Sequence, residues 1–352
     1  MNRIAVVFGV LLVSVLAKDG SAEVYDLPAD GSDVIGAVTV IKARADDTLI
    51  DIARRHGLGY EDMVIANPDV DVWLPGEGTD VVLPTRYVLP PGVRSGVVLN
   101  LAEYRMYYYP QPKPGERGTV MTFPISIGRM DWETPLGLTR ITAKARNPAW
   151  YPPESVRAEH EADGRPLPRI VPPGPDNPLG NFAMRLGLPG YLIHGTNRPA
   201  GVGMRVTHGC IRMFPEDIEY LFEQLRIETP VRIINEPLKI GWDGEELVLE
   251  VHRTLSSAPP EDVTLADVAD VLTANAAADD DVQSQTDETT EGTAPVQQSG
   301  LTELTAQFVA ATQDRQGAID WEFAERQLVT PNGIPLAIGR SIKNAATSAA
   351  FE

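Results

Sequence analysis

The sequence predicts a mainly β central domain with a short helix, a small α+β module before it and a partly disordered acidic tail after it. Three observations carry this. Residues 96–236 alternate apolar runs with Gly/Pro turns, which is the strand signature. Residues 38–88 read as strand, helix, helix, strand in about fifty residues. Residues 254–352 hold 16 acidic and 4 basic residues, so they supply −12 of the chain's net −19. A chain of 352 residues is long enough for two or three such units.

The chain opens M-N-R and runs from Ile4 to Ala17 without a charge. Gly20 and Ala22 are small residues spaced as at a signal-peptidase site. Residues 1–22 therefore read as a signal peptide, too short an apolar run for the ~20 residues of a spanning helix. No cysteine lies near the cut, which excludes a lipid-anchored lipoprotein. Residues 23–37 are polar and Gly/Asp-rich and read as a linker.

Within 38–88, Val38–Ile41 reads as a strand. Leu49, Ile52 and Ala53 share a helical face that Asp46 or Asp47 can cap. A second helix fits Glu61–Ala66, stopped by Asn67-Pro68, and Asp80–Pro84 closes the unit as a strand. In 96–236, strands fit Gly96–Leu101, Met106–Tyr109, Thr119–Ile127, Leu138–Ala143 and Val231–Asn235. Helical spacing emerges at Pro215–Leu225, where Ile218, Leu221, Phe222 and Leu225 share a face. The Pro-rich run from Pro148 to Pro178 reads as a long surface loop of the kind that is usually functional. Residues 254–300 lack large apolar side chains over much of their length and read as a disordered acidic linker. Residues 301–340 read as a small C-terminal helical element.

The acidic balance argues against nucleic acid as a partner, since phosphate binding needs a basic surface. Cys210 is the one cysteine, so an intrachain disulfide and a multi-cysteine metal site are both impossible. An exported lone thiol is either a small buried hydrophobe or a nucleophile. Its neighbours favour the nucleophile. Two of the five histidines, His194 and His208, lie within the segment Tyr191–Met213 that also holds Cys210. A thiol of pKa about 8.5 is mostly protonated at neutral pH and needs a base or cation beside it. The apolar run Tyr191–Ile193 would place His194 on a strand, and the turn Arg198–Gly203 could return Thr207-His208-Gly209-Cys210 beside it. Gly209 permits the tight backbone that aims N–H groups at an oxyanion. Arg212 could hold a substrate carboxylate. His208 reads equally as a core histidine. No standard zinc spacing is present, so a metal is not expected.

The string I-H-G-T-N…T-H-G-C-I-R-M resembles the YkuD-type L,D-transpeptidase catalytic domain, in its periplasmic Gram-negative branch. Thr134-Pro135-Leu136-Gly137 and Asn147-Pro148-x-Trp150 fit as well. The resemblance spans 96–236 and implies a β-sandwich. The segment 38–88, through D-D-T-L-x-D-I-A-R-R-H-G, A-N-P and V-V-L-P, resembles the LysM peptidoglycan-binding module.

The resemblance implies a periplasmic enzyme that acts on peptidoglycan stem peptides and needs no metal or organic cofactor. Cys210 would be the nucleophile, His194 the base, and His208 part of the catalytic set. Gly209 would serve the oxyanion and the Gly195 carbonyl would orient the imidazole. Arg212, Thr207 and Asn197 would contact substrate. The acyl acceptor would be a diaminopimelate, a lysine of an outer-membrane lipoprotein, or water in an L,D-carboxypeptidase. A papain-like hydrolase, which has Cys before His, and a non-catalytic wall-binding protein remain as other readings.

Overall fold

The computed structural model describes residues 23–129, 132–255 and 294–342. The expected signal peptide and most of the expected acidic linker lie outside these residues. The N-terminal elements are β1 (Val24–Asp26), β2 (Val34–Gly36), β3 (Thr39–Lys42), α1 (Leu49–Arg55), α2 (Tyr60–Ala66), β4 (Asp80–Leu83) and β5 (Arg86–Val88). The central elements are β6 (Gly96–Asn100), β7 (Arg105–Tyr109), β8 (Thr119–Pro124), β9 (Ile127–Gly128), β10 (Gly137–Arg146), α3 (Glu154–Ala162), β11 (Phe182–Leu186), β12 (Leu192–His194), β13 (Arg205–Thr207), β14 (Ile211–Arg212), α4 (Pro215–Gln224) and β15 (Pro230–Ile234). The last are β16 (Leu238–Asp243), β17 (Glu246–Val251), α5 (Ala294–Ala311), β18 (Gly317–Ile319), α6 (Trp321–Val329) and β19 (Leu336–Ser341).

The central domain is built on a nine-stranded sheet in the order β1-β8-β7-β6-β15-β10-β11-β12-β14. Side chains alternate across a sheet, so each strand serves two faces. Leu99, Met106, Phe123, Ile233, Met184, Ile193 and Ile211 point to one face and share a core with Ile218, Leu221 and Phe222 of α4. Each such side chain stabilises by roughly 1.5–3 kcal/mol when fully buried. The sheet curls around this core. Ser126 and Arg212 close it, exchanging backbone N–H···O bonds of 2.8 and 3.1 Å. The opposite face is divided. Over β6, β7 and β8 it packs Val98, Tyr107 and Val120 against Ile35, Tyr87 and Leu89. On β12 and β14 it carries His194 and Arg212.

The N-terminal module folds in the expected β-α-α-β order, with β3 and β4 antiparallel from Thr39↔Leu83 to Lys42↔Asp80. Leu49, Ile52, Leu58, Met63 and Val81 form its core. The cap of α1 differs from the expectation. Thr48, not Asp46 or Asp47, accepts from Asp51 N–H, and Asp51 answers in a capping box. Asp47 instead accepts from Arg44 N–H and from the Arg55 guanidinium. Asn67 ends α2 by donating to Met63 O and Val82 O and accepting from Val82 N–H.

Three boundaries move. Residues 23–37 are not a linker: β1 pairs with β8 at the edge of the large sheet, and β2 pairs with β5. The linker ends before residue 300, because α5 begins at Ala294. The expected helical element is half of a sheet-and-helix unit. Its four strands run β16-β17-β19-β18, and Leu238, Leu247, Leu249, Leu304 and Ile338 make its core. The β16–β17 hairpin lies outside the segment read as a domain, so its partners across the linker could not be assigned from pattern.

Asp217, in the first turn of α4, is buried, and its carboxyl is pushed up to about 8. Burial is the main cause and Glu216 adds to it, against Arg105 and Arg54. The folded chain then holds a proton that an unfolded carboxyl releases near pH 4, so stability falls as pH climbs from about 4 to 8. Asp217→Asn removes that fall. Thermal unfolding should show the variant melting roughly 2 °C or more above the parent at pH 8, with the gain vanishing near pH 4.

Candidate active site

The site begins with a register. β12 and β14 pair in parallel, Ile193 opposite Ile211 and His194 opposite Arg212. The two isoleucines are wholly buried in the core, so His194 and Arg212 share the other face. Cys210, immediately before β14, is two positions from Arg212 and belongs to the same face by alternation. The strand expected at Tyr191–Ile193 is therefore present, and the returning turn does bring the Thr207–Cys210 motif beside it.

His194 is 5% exposed and its Nδ1 lies 2.6 Å from Gly195 O. A carbonyl only accepts, so Nδ1 carries the proton and Nε2 is left as the basic nitrogen. Burial and then the Arg212 charge push the imidazole down to about 3, against the bond to Gly195. It is a neutral base throughout the physiological range. Gly195 is held in a tight place: an added methyl would meet Ile218 Cγ2 at 3.1 Å and Leu179 O at 3.4 Å.

Cys210 is partly exposed. Burial pushes its thiol up, while a backbone hydrogen bond from Leu192 and the Arg212 charge pull it down. The sulfur is turned toward Gly190 O at 3.6 Å, and among the described residues no hydrogen bond joins it to His194. Such bonds are often open in unliganded enzymes and tighten when substrate binds. The motif around the thiol is fixed by its neighbours. Thr207 is buried and its Oγ1 donates to Cys210 O at 2.6 Å. Gly209 has φ +93, and Thr134 Oγ1 donates to its carbonyl at 2.8 Å. A side chain there would meet the Tyr191 ring at 2.8 Å as well as strain the backbone. Among the described residues, neither Gly209 N–H nor Cys210 N–H is spent on a backbone acceptor.

Arg212 brings a charge to the site that no described residue balances. Its Nε is buried without a partner, and among the described residues no carboxylate forms an ion pair with it. Burial and the nearby Arg198 lower its pKa to about 10. Arg198 lacked a signal in the sequence beyond its place in the turn. Asn197 is exposed beside it, with no side-chain bond among the described residues.

His208 faces elsewhere. Its Nε2 lies 2.8 Å from Glu159 Oε2 on α3, and Arg129 Nη2 bonds Glu159 Oε1 at 2.5 Å. Trp132 packs edge-on at 5.3 Å. The helix α3 sits inside the Pro-rich run expected to be a loop, so the motif anchors that run across the site. Neither Glu159 nor Arg129 was visible in the sequence, because both lie far along the chain from the motif.

A carboxylate and histidine cluster exists away from the thiol. Ligand atoms of Glu103, Glu250 and His252 lie within 4.8 Å of one another. Lys239 Nζ already stands 2.9 Å from Glu103 and 3.1 Å from Glu250. The chain's own ammonium supplies the cation there.

Residues 94–233 match the YkuD L,D-transpeptidase catalytic domain. The chain is 42% identical over 242 residues to the probable L,D-transpeptidase YbiS of Escherichia coli, covering 67% of this chain and 77% of that one. It is 42% identical over 254 residues to the probable L,D-transpeptidase ErfK/SrfK of Salmonella typhimurium, covering 71% and 79%. It is 40% identical over 257 residues to the probable L,D-transpeptidase YcfS of Escherichia coli, again covering 71% and 79%. The chain belongs to the YkuD-type L,D-transpeptidase family and is an L,D-transpeptidase.

Proposed function

We propose that the chain is an exported peptidoglycan L,D-transpeptidase working in the periplasm on tetrapeptide stems. The observation that carries this is the shared face of His194, Cys210 and Arg212: a neutral base, a lone thiol and a half-buried cation with no ion-pair partner among the described residues. Among the described residues no helix is long and apolar enough to cross a membrane.

Nε2 of His194 takes the proton as Cys210 Sγ attacks the carbonyl of the third stem residue, a diaminopimelate. The oxyanion is met by the backbone N–H groups of Gly209 and Cys210, and one such donor is worth about 3–4 kcal/mol. The bond to the terminal D-Ala breaks, and the imidazolium returns its proton to the leaving amine. The thioester is then attacked by an acceptor amine whose proton passes to Nε2, and the sulfur leaves to be reprotonated. Arg212 holds a stem carboxylate, with the exposed Asn197 beside it, while Thr207, buried and donating to Cys210 O, holds the motif rather than touching substrate. His208 holds α3 in place through Glu159. The β-α-α-β module acts as a LysM-like glycan-binding part. The acceptor is the amine of a second stem or of a lipoprotein lysine, and masses of products from disaccharide-tetrapeptides with and without a lysine-ended peptide identify it.

Cys210→Ala and His194→Ala should each abolish D-Ala release while leaving the melting temperature close to that of the parent. Mass spectrometry should find a carbapenem acyl adduct on the parent and none on Cys210→Ala. Robust cross-linking by Cys210→Ala would sink the mechanism.

The pH dependence has a definite sign. His194 is held near 3, so activity should show no acidic limb from this group above about pH 5. The thiol is raised, so the rate of Cys210 alkylation should keep climbing through pH 8 without a plateau. An alkylation plateau near pH 6 would point instead to a thiolate–imidazolium pair.

A further inference from the structure

The β-α-α-β module grips the catalytic segment Thr207–Met213 on both sides. Before the segment, Tyr60 N–H donates to Val202 O at 3.0 Å and Glu61 N–H to Gly203 O at 3.3 Å. Tyr60 packs on Met204 and Val206 in the same small apolar cluster. The backbones meet so closely that a methyl on Gly203 would lie 2.4 Å from Gly59 Cα. After the segment, Arg54 of α1 forms a two-pronged bond to Glu216 of α4, at 2.7 and 2.9 Å, and its guanidinium lies 5.6 Å from the Phe214 ring centre.

The gripped loop leads directly to the site's cation. An added methyl on Gly201 would stand 3.6 Å from Arg212 Nη1. Gly201 O accepts from Ser126 Oγ at 2.7 Å, and Ser126 is the residue that exchanges backbone bonds with Arg212. The loop thus lies against the guanidinium through Gly201 and against the Arg212 backbone through Ser126.

We propose that the N-terminal module is a positioning part of the active site, with Gly59, Tyr60 and Arg54 holding the loop that sets Arg212 against Cys210. This adds to the module's glycan-binding role in the proposed function, and it rests on that reading only in taking Arg212 as the anion-holding group. Gly59 has φ −93, an ordinary conformation, so Gly59→Ala strains no backbone within the module. Its methyl would meet Gly203 Cα at 2.7 Å and force the clamp apart. Arg54→Ala removes the second grip at a half-exposed ion pair, where folding is not at stake.

The single cysteine makes the test unambiguous. Alkylation rates of Cys210 in the full chain are measured with iodoacetate and with neutral iodoacetamide. Their ratio reports how well the guanidinium faces the thiol, a readout that general loosening does not move. Gly59→Ala and Arg54→Ala should each lower the ratio by roughly threefold or more, the scale of a partly screened charge contact. Arg212→Ala sets the lower limit, and Arg54→Lys should recover part of the loss. Ratios within about 1.5-fold of the parent in both variants overturn the proposal, a margin well below one such contact. If Gly59→Ala does not fold, Arg54→Ala decides alone. The transpeptidase reading fails on a different readout, the absence of D-Ala release by the parent chain.

Discussion

The parallel pairing of β12 with β14 is the constraint on which the site depends. Parallel neighbours cannot be joined by a tight turn, so the chain must leave the sheet after His194 and return before Ile211. The same pairing puts Ile193 and Ile211 in the core and turns His194 and Arg212 to the other face. The long return carries Thr207, Gly209 and Cys210, and it exposes Val202 and Gly203 to the N-terminal module. A one-residue slip in this register would send the base into the core and an isoleucine into the site.

That geometry also decides the electrostatics. A buried imidazole beside a guanidinium stays neutral, and a thiol that burial disfavours as an anion stays protonated. In the proposed reaction, charge appears on sulfur as the proton moves to Nε2, with Arg212 on the same face. The cation is costly to hold without a partner, since burial and then the Arg198 charge lower its pKa. In the proposed reaction a substrate carboxylate supplies that partner.

Much of this was legible because the motif is local. The run Tyr191–Ile193, the Gly-rich turn and Thr207–Cys210 hold the candidate site within one short stretch, and the apolar spacing of the N-terminal module is equally local. What was hidden is what depends on distant pairing. Glu159 on α3 finds His208, Arg54 finds Glu216, and β17 finds β19 across a long acidic segment. The cap of α1 shows the limit in miniature. Asp47 has the right chemistry for a cap, but the Arg55 guanidinium and Arg44 N–H claim its oxygens and leave the cap to Thr48.

Charge tells the same story at larger scale. The net −19 describes the tail more than the site, where Arg198 and Arg212 stand together without a balancing carboxylate among the described residues. The C-terminal hairpin nevertheless belongs to the body of the molecule. Lys239 of β16 lies between Glu103 of the central domain and Glu250 of β17, fully buried, while Glu250 also accepts from Val88 N–H. Removing one partner of such a network leaves a buried charge unmatched, which costs more than the network's net gain in forming. The three units are thus fastened by charged groups that cannot separate freely, and the catalytic segment sits where two of those units close on it.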